Sequence, residues 1–97
     1  MASTPRAYSL QKYWPTCSPE QAQANYDRMF TEQVGCCDIC GRNQTEFKKA
    51  LHVDHCHESE RVRGLLCLQC NAALGYIKDN IKTAKNMVKY LQKHKED

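Results

Sequence analysis

Val53-Asp54-His55-Cys56-His57 stands between two equally spaced pairs, Cys37-Asp38-Ile39-Cys40 before it and Cys67-Leu68-Gln69-Cys70-Asn71 after it. Two Cys-x-x-Cys pairs can converge on one tetrahedral zinc ion and close the segment between them into a stapled loop. Four thiolates leave no open coordination position, and their softness selects zinc over magnesium or calcium, so this site reads as structural. Cys36 is an alternative to Cys37, because Cys-x-x-x-Cys spacing also suits a zinc turn. Cys17 and Cys56 read as free thiols.

The rest of the composition is consistent with that staple. A chain of 97 residues has room for one domain with a modest core, which makes a metal the expected supplement. Seven cysteines, an odd number and without a secretion signal, count against a disulfide framework. Hydrophobic content of 41% and charged content of 26% exclude wholesale disorder. No apolar run approaches the roughly 20 residues needed to cross a bilayer. Met1-Ala2-Ser3-Thr4-Pro5 also lacks an apolar signal region, so an intracellular protein without a membrane partner is expected. A net charge of +3 permits nucleic-acid binding without requiring it.

Residues 1–17 hold Pro5, Tyr8, Tyr13, Trp14 and Pro15 without periodicity, which predicts an irregular arm that packs its rings onto a single domain over 18–97. Ser18-Pro19-Glu20-Gln21 has the N-cap, first-turn proline and capping-box glutamine of a helix start. Ala22, Tyr26, Met29 and Phe30 continue it at helical spacing, giving a helix over about 19–33 that stops before Gly35. A polar loop is expected over 42–49. Leu51 to His55 and Arg61 to Leu66 read as two strands of a hairpin turning at Glu58-Ser59-Glu60. A helix follows from Leu68 and breaks near Gly75. A last helix, capped by Asp79 or Asn80, carries Ile81, Ala84, Met87 or Val88, and Leu91 on one face and Lys82, Lys85, Lys89 and Lys93 largely on the other.

Inside the staple, a carboxylate and an imidazole are adjacent and a carboxamide follows the last cysteine. Asp54 and the side-chain oxygen of Asn71 are hard donors suited to Mg²⁺ or Mn²⁺. His55, with a side-chain pKa near neutrality in the unperturbed residue, suits a general base, and His57 suits phosphate orientation or proton transfer. In a regular strand Asp54 and His55 point to opposite faces, so a shared site requires the strand to end or bulge there. His52 and His94 read as structural or surface groups. Arg61 and Arg63 are candidate phosphate contacts, and the lysine face of the last helix is a weaker one. These residues imply metal-dependent phosphodiester hydrolysis on DNA; the alternative is a zinc-stabilised DNA-binding or adaptor module without turnover.

Cys37-x-x-Cys40, then Val53-Asp54-His55-Cys56-His57, then Val62-Arg63-Gly64-Leu65-Leu66-Cys67-x-x-Cys70-Asn71-Ala72-Ala73-Leu74-Gly75 resembles the phage recombination endonuclease VII family of His-Me finger, HNH-like nucleases. The resemblance covers about residues 25–80, including Tyr26-Asp27-Arg28-Met29. It implies an α+β fold with a ββα-metal core, a structural zinc, and flanking N-terminal and C-terminal helices. It further implies Mg²⁺-dependent DNA cleavage leaving 5′-phosphate and 3′-hydroxyl ends, on double-stranded or branched DNA, in the cytoplasm of a phage host. Carried over by position, Asp54 and Asn71 hold the catalytic metal, His55 is general base and His57 an auxiliary group. The chain departs from the best-known member in having Leu74 where that protein has a glutamate, and in stopping at Asp97 where that protein continues through helices that build a dimer. Nicking is therefore as well matched as junction resolution, and a homodimer is a possible assembly.

Overall fold

The computed structural model describes residues 7–95, and these run α1 (Ala7–Leu10), α2 (Pro19–Glu32), β1 (His52–His55), β2 (Val62–Leu66), α3 (Leu68–Tyr76) and α4 (Ile81–Lys93). Ser18 caps α2 as its sequence predicts: its Oγ accepts from the Gln21 N–H at 3.1 Å, and the Gln21 side chain accepts from the Ser18 N–H at 2.8 Å. Two orphan donors are thereby satisfied and the helix start is fixed. The other end closes through left-handed Val34 (φ 55°) and Gly35 (φ 67°).

The core lies between α2 and the hairpin. Ala22 and Tyr26 from α2 meet Leu51, Val53, Leu65 and Leu66, with Leu10 from α1 and the sulfurs of Cys37 and Cys67 alongside. The Tyr26 hydroxyl donates to the Leu51 carbonyl at 2.6 Å, so its one polar atom is satisfied where the ring is buried. Residues expected to form an irregular arm carry the one-turn helix α1, and Tyr13 and Trp14 pack against the core from there. Pro5 and the side chain of Tyr8 lie outside the described residues. The expected polar loop over 42–49 contains a 3₁₀ turn, Gln44–Glu46, and Phe47 packs inward.

The hairpin is antiparallel, pairing His52 with Leu66, Val53 with Leu65, and Asp54 with Gly64. Its register then shifts, and His55 pairs with Val62. The distortion falls at the Asp54–His55 step, yet the extra residue, Arg63, belongs to β2. Gly64 beside it has a packing reason to lack a side chain: a Cβ there would lie 3.0 Å from Asp38 Oδ2 and 3.4 Å from Gln33 Oε1. Gln33 uses that space. Its Oε1 accepts from the Leu65 N–H at 2.9 Å, and its Nε2 donates to the carbonyls of Leu65 (2.9 Å) and Cys36 (2.8 Å). A side-chain amide thus takes the place of a neighbouring strand along β2.

α3 packs on both strands, completing a strand–strand–helix unit. α4 is different. It is amphipathic as expected, but Ile81, Met87, Val88 and Leu91 remain exposed, with no cover among the described residues. No helix among the described residues is long and apolar enough to cross a membrane.

Candidate functional site

The two Cys-x-x-Cys pairs meet. Ligand sulfurs of Cys37, Cys40, Cys67 and Cys70 all lie within 4.8 Å of one another, and the Cys40–Cys67 sulfurs are 3.9 Å apart. Zinc–sulfur bonds of about 2.3 Å in a tetrahedron require sulfur separations of about 3.8 Å, so the cluster can hold a zinc ion. Cys37, rather than Cys36, belongs to it; Cys36 lies beside the Asn43 amide, 3.8 Å from its Nδ2. Cys17 and Cys56 stand outside it.

Local structure prepares these thiols for a cation. Burial pushes the Cys37 thiol up, but backbone N–H groups of Cys67, Cys40 and Ile39 outweigh it and hold the pKa down at about 6. Cys67 caps α3, its sulfur accepting from the Cys70 N–H at 3.4 Å. Burial and the neighbouring thiols push Cys70 up to about 12. One thiolate therefore forms readily, and the remainder need a divalent ion to offset their mutual repulsion.

In the hairpin, Asp54 is 7% exposed. Arg63 holds it with two hydrogen bonds, Nε to Oδ2 at 2.7 Å and Nη2 to Oδ1 at 3.0 Å. The same Nη2 donates to Asp79 Oδ1 at 3.2 Å. Hydrogen bonding to Asp54, opposed by burial and aided by Asp79, makes the Arg63 guanidinium still harder to deprotonate than usual. Asp79 also reaches His57: Oδ2 lies 3.1 Å from Nδ1. The His57 ring in turn sits 5.0 Å, centroid to centroid, from that of His55. Asp54, Arg63, Asp79, His57 and His55 therefore form one connected chain of side chains.

His55 is half-buried, with the Tyr13 ring 5.6 Å away on its other side and Lys12, Pro15 and Glu60 around the opening. His57 faces a separate open cavity of about 510 Å³, shared with Arg63, Lys78 and Asp79. Asn71 is in the first half of α3, half-buried, its N–H donating to the Cys67 carbonyl at 3.0 Å. Leu74 packs toward the core. Arg61 and Arg63 do not act as a pair. Arg61 borders a depression with Trp14, Arg28 and Glu32, whereas Arg63 is already taken by two carboxylates. His52 is half-buried with Nε2 unpartnered; burial, then Lys49 and Lys12, push its pKa down and keep it neutral.

Two members of this constellation carry no sequence signal of their own. Asp79 reads as a helix cap, but Asn80 takes that role, its Oδ1 accepting from the Thr83 N–H at 2.9 Å. That leaves the aspartate free to turn toward the hairpin. Tyr13 lies in the segment without periodicity, about 40 residues from the histidine it touches.

Comparison with known proteins gives the chain's family. The model of the recombination endonuclease VII family matches residues 10–93. The chain is 43% identical over 67 residues to the Gene 59 protein of Mycobacterium phage L5, covering 68% of this chain and 40% of that protein. It is 41% identical over 69 residues to the Gene 59 protein of Mycobacterium phage D29, covering 70% of this chain and 41% of that one. The chain thus spans about two fifths of the length of these relatives. With the family model covering most of its length, the chain belongs to the recombination endonuclease VII family.

Proposed function

We propose that the chain is a metal-dependent DNA endonuclease built on a ββα-metal core. The observation that carries this reading is the register shift beside Asp54, where the bulged Arg63 joins a buried carboxylate, through Asp79, to His57 and His55. Asp54 and Asn71 are the residues that would hold Mg²⁺ or Mn²⁺; their oxygens are hard donors, and an ion bound there would take over from Arg63 as the counter-charge of Asp54. Such an ion, when bound, polarises the scissile phosphate and steadies the leaving 3′ oxygen. His55 takes the proton of the attacking water. His57 orients the phosphate through the ring nitrogen not held by Asp79. Arg63 lies on the cavity wall where it can meet phosphate once Asp54 has another counter-charge, and Arg61 contributes a positive charge on the adjoining face. The substrate is double-stranded or branched DNA, and the site of action is the host cytoplasm. The exposed apolar face of α4 supports association of two copies, which the solution mass of the zinc-loaded protein tests.

One observation favours a second reading, a zinc-stabilised DNA-binding or adaptor module: Arg63 engages both oxygens of Asp54. The two readings separate in one assay. Plasmid and branched DNA are incubated with the zinc-loaded protein and Mg²⁺ or Mn²⁺, beside a His55→Ala variant with unchanged zinc content. Cutting by the parent alone supports the nuclease; intact DNA in both, or equal cutting by both, rejects it.

A further inference from the structure

We propose that Asp79 is a positioning residue for the cutting reaction: it holds His57 by Nδ1, so that Nε2 meets the cavity, and steadies Arg63 from the side away from Asp54. This rests on the nuclease reading above. One carboxylate spans both groups, Oδ2 to His57 at 3.1 Å and Oδ1 to Arg63 at 3.2 Å, and all three residues line the same cavity of about 510 Å³.

The backbone argues that this placement has a use. Lys78 and Asp79 are both left-handed, at φ 54° and 56°, in a linker where neither is glycine. Non-glycine residues hold that conformation at a cost, and pairs of them persist where the surrounding structure imposes it. Here the Asp79 N–H donates to the Leu74 carbonyl at 3.0 Å and the Lys78 N–H to that of Gly75 at 3.1 Å. The turn is therefore locked to the end of α3. Its aspartate does not cap α4, since Asn80 does.

Exposure separates anchor from effector. The Asp79 side chain is 24% exposed and that of His57 70%. An ion pair so open to water contributes little stability. What it does supply is orientation, because the group bonded to one ring nitrogen decides which nitrogen carries the proton and where the other points. With Nδ1–H donated to Asp79, Nε2 of the neutral ring faces the cavity as an acceptor for a proton in transit, and once it holds that proton it can donate to a phosphate oxygen. Hydrogen bonding from His57, opposed by burial and joined by Arg63, holds the Asp79 carboxyl below its usual range, so it is ionised at neutral pH.

The test uses the zinc-loaded full chain, labelled with nitrogen-15 for ring correlation spectra that report the His57 tautomer, together with kcat and KM for plasmid cutting. Asp79→Gly removes the carboxylate and suits φ 56° without a side-chain clash. We expect the Nδ1–H tautomer in the parent and Nε2–H in the glycine variant, with kcat lower by about tenfold and KM within about twofold. An Nε2–H tautomer in the parent, an unchanged tautomer in the variant, or unchanged kcat overturns the proposal. If the glycine variant loses zinc, Asp79→Asn, which tolerates the left-handed backbone, replaces it in the kinetic arm. A lower kcat at constant KM then supports the role, and parental kcat rejects it. Should the parent leave DNA intact, the nuclease reading falls on its own, while the tautomer comparison still reports whether Asp79 places His57.

Discussion

Replacing Arg63 with methionine keeps most of the alkyl stem and removes the charge that neutralises Asp54. The carboxylate side chain is 9% exposed and the guanidinium 37%, and the two bonds between them measure 2.7 and 3.0 Å. Leaving a fully buried charge unpaired costs about 3–5 kcal/mol. Water reaches this pair from the arginine side, so we expect a loss of about 2–3 kcal/mol. In a domain of this size that is a drop in Tm of about 10–20 °C. Thermal melts with saturating zinc measure it, since zinc loss would otherwise be mistaken for the effect. Two further arms locate the cause. Adding Asp54→Asn to Arg63→Met removes the stranded charge and should recover most of the loss. Millimolar Mg²⁺ should raise the Tm of the single variant more than that of the parent, whose arginine competes for the same carboxylate. A single variant melting within about 1 kcal/mol of the parent, or a double variant no more stable than the single, refutes the argument that Arg63 is what keeps Asp54 charged in the fold.

Burial, and to a lesser degree Asp27, push Tyr26 up to about 12 from an ordinary 10.0. A raised folded pKa means stability fully present below pH 10 and lost as pH climbs toward 12, by about 2–3 kcal/mol in all. Alkaline melts should show this loss, and Tyr26→Phe should abolish the dependence while costing about 1 kcal/mol at neutral pH through the bond to Leu51. Gln33→Ala strips the buried Leu65 amide of its partner, and denaturant unfolding should report a loss of about 2–3 kcal/mol; a loss below about 1 kcal/mol would mean water substitutes along that edge of β2. Val34, 77% exposed at φ 55°, is a β-branched residue in a conformation that suits glycine, so Val34→Gly should raise stability by about 1 kcal/mol in the same assay. Cys37→Ser should lower zinc stoichiometry or affinity measured by chelator competition, whereas Cys36→Ser should leave both unchanged.

Much of the scaffold could be read along the chain because its causes are local. Ser18 and Gln21 cap a helix whichever fold follows, and two Cys-x-x-Cys turns can share a metal wherever they meet. Alternation and turn residues likewise mark the two strands. The choice between Cys36 and Cys37 was different: both satisfy ligand spacing, and only the folded turn brings one sulfur into the cluster. The packing of Tyr13 and Trp14 could be anticipated from their rings, but the helix α1 ahead of them could not.

Residue types and their spacing alone determined the presence of a thiol staple, the acid–imidazole pair beside it, and membership of a nuclease family. Tertiary structure alone decided how charge is shared around that pair. A one-residue register shift places Arg63 against Asp54, and a left-handed turn some 15 residues later swings Asp79 onto both Arg63 and His57. The physical reason is reach. Caps and metal turns are satisfied within three or four residues, whereas an ion-pair chain joins side chains 9, 16 and 22 positions apart, whose meeting depends on how β1, β2 and α3 pack.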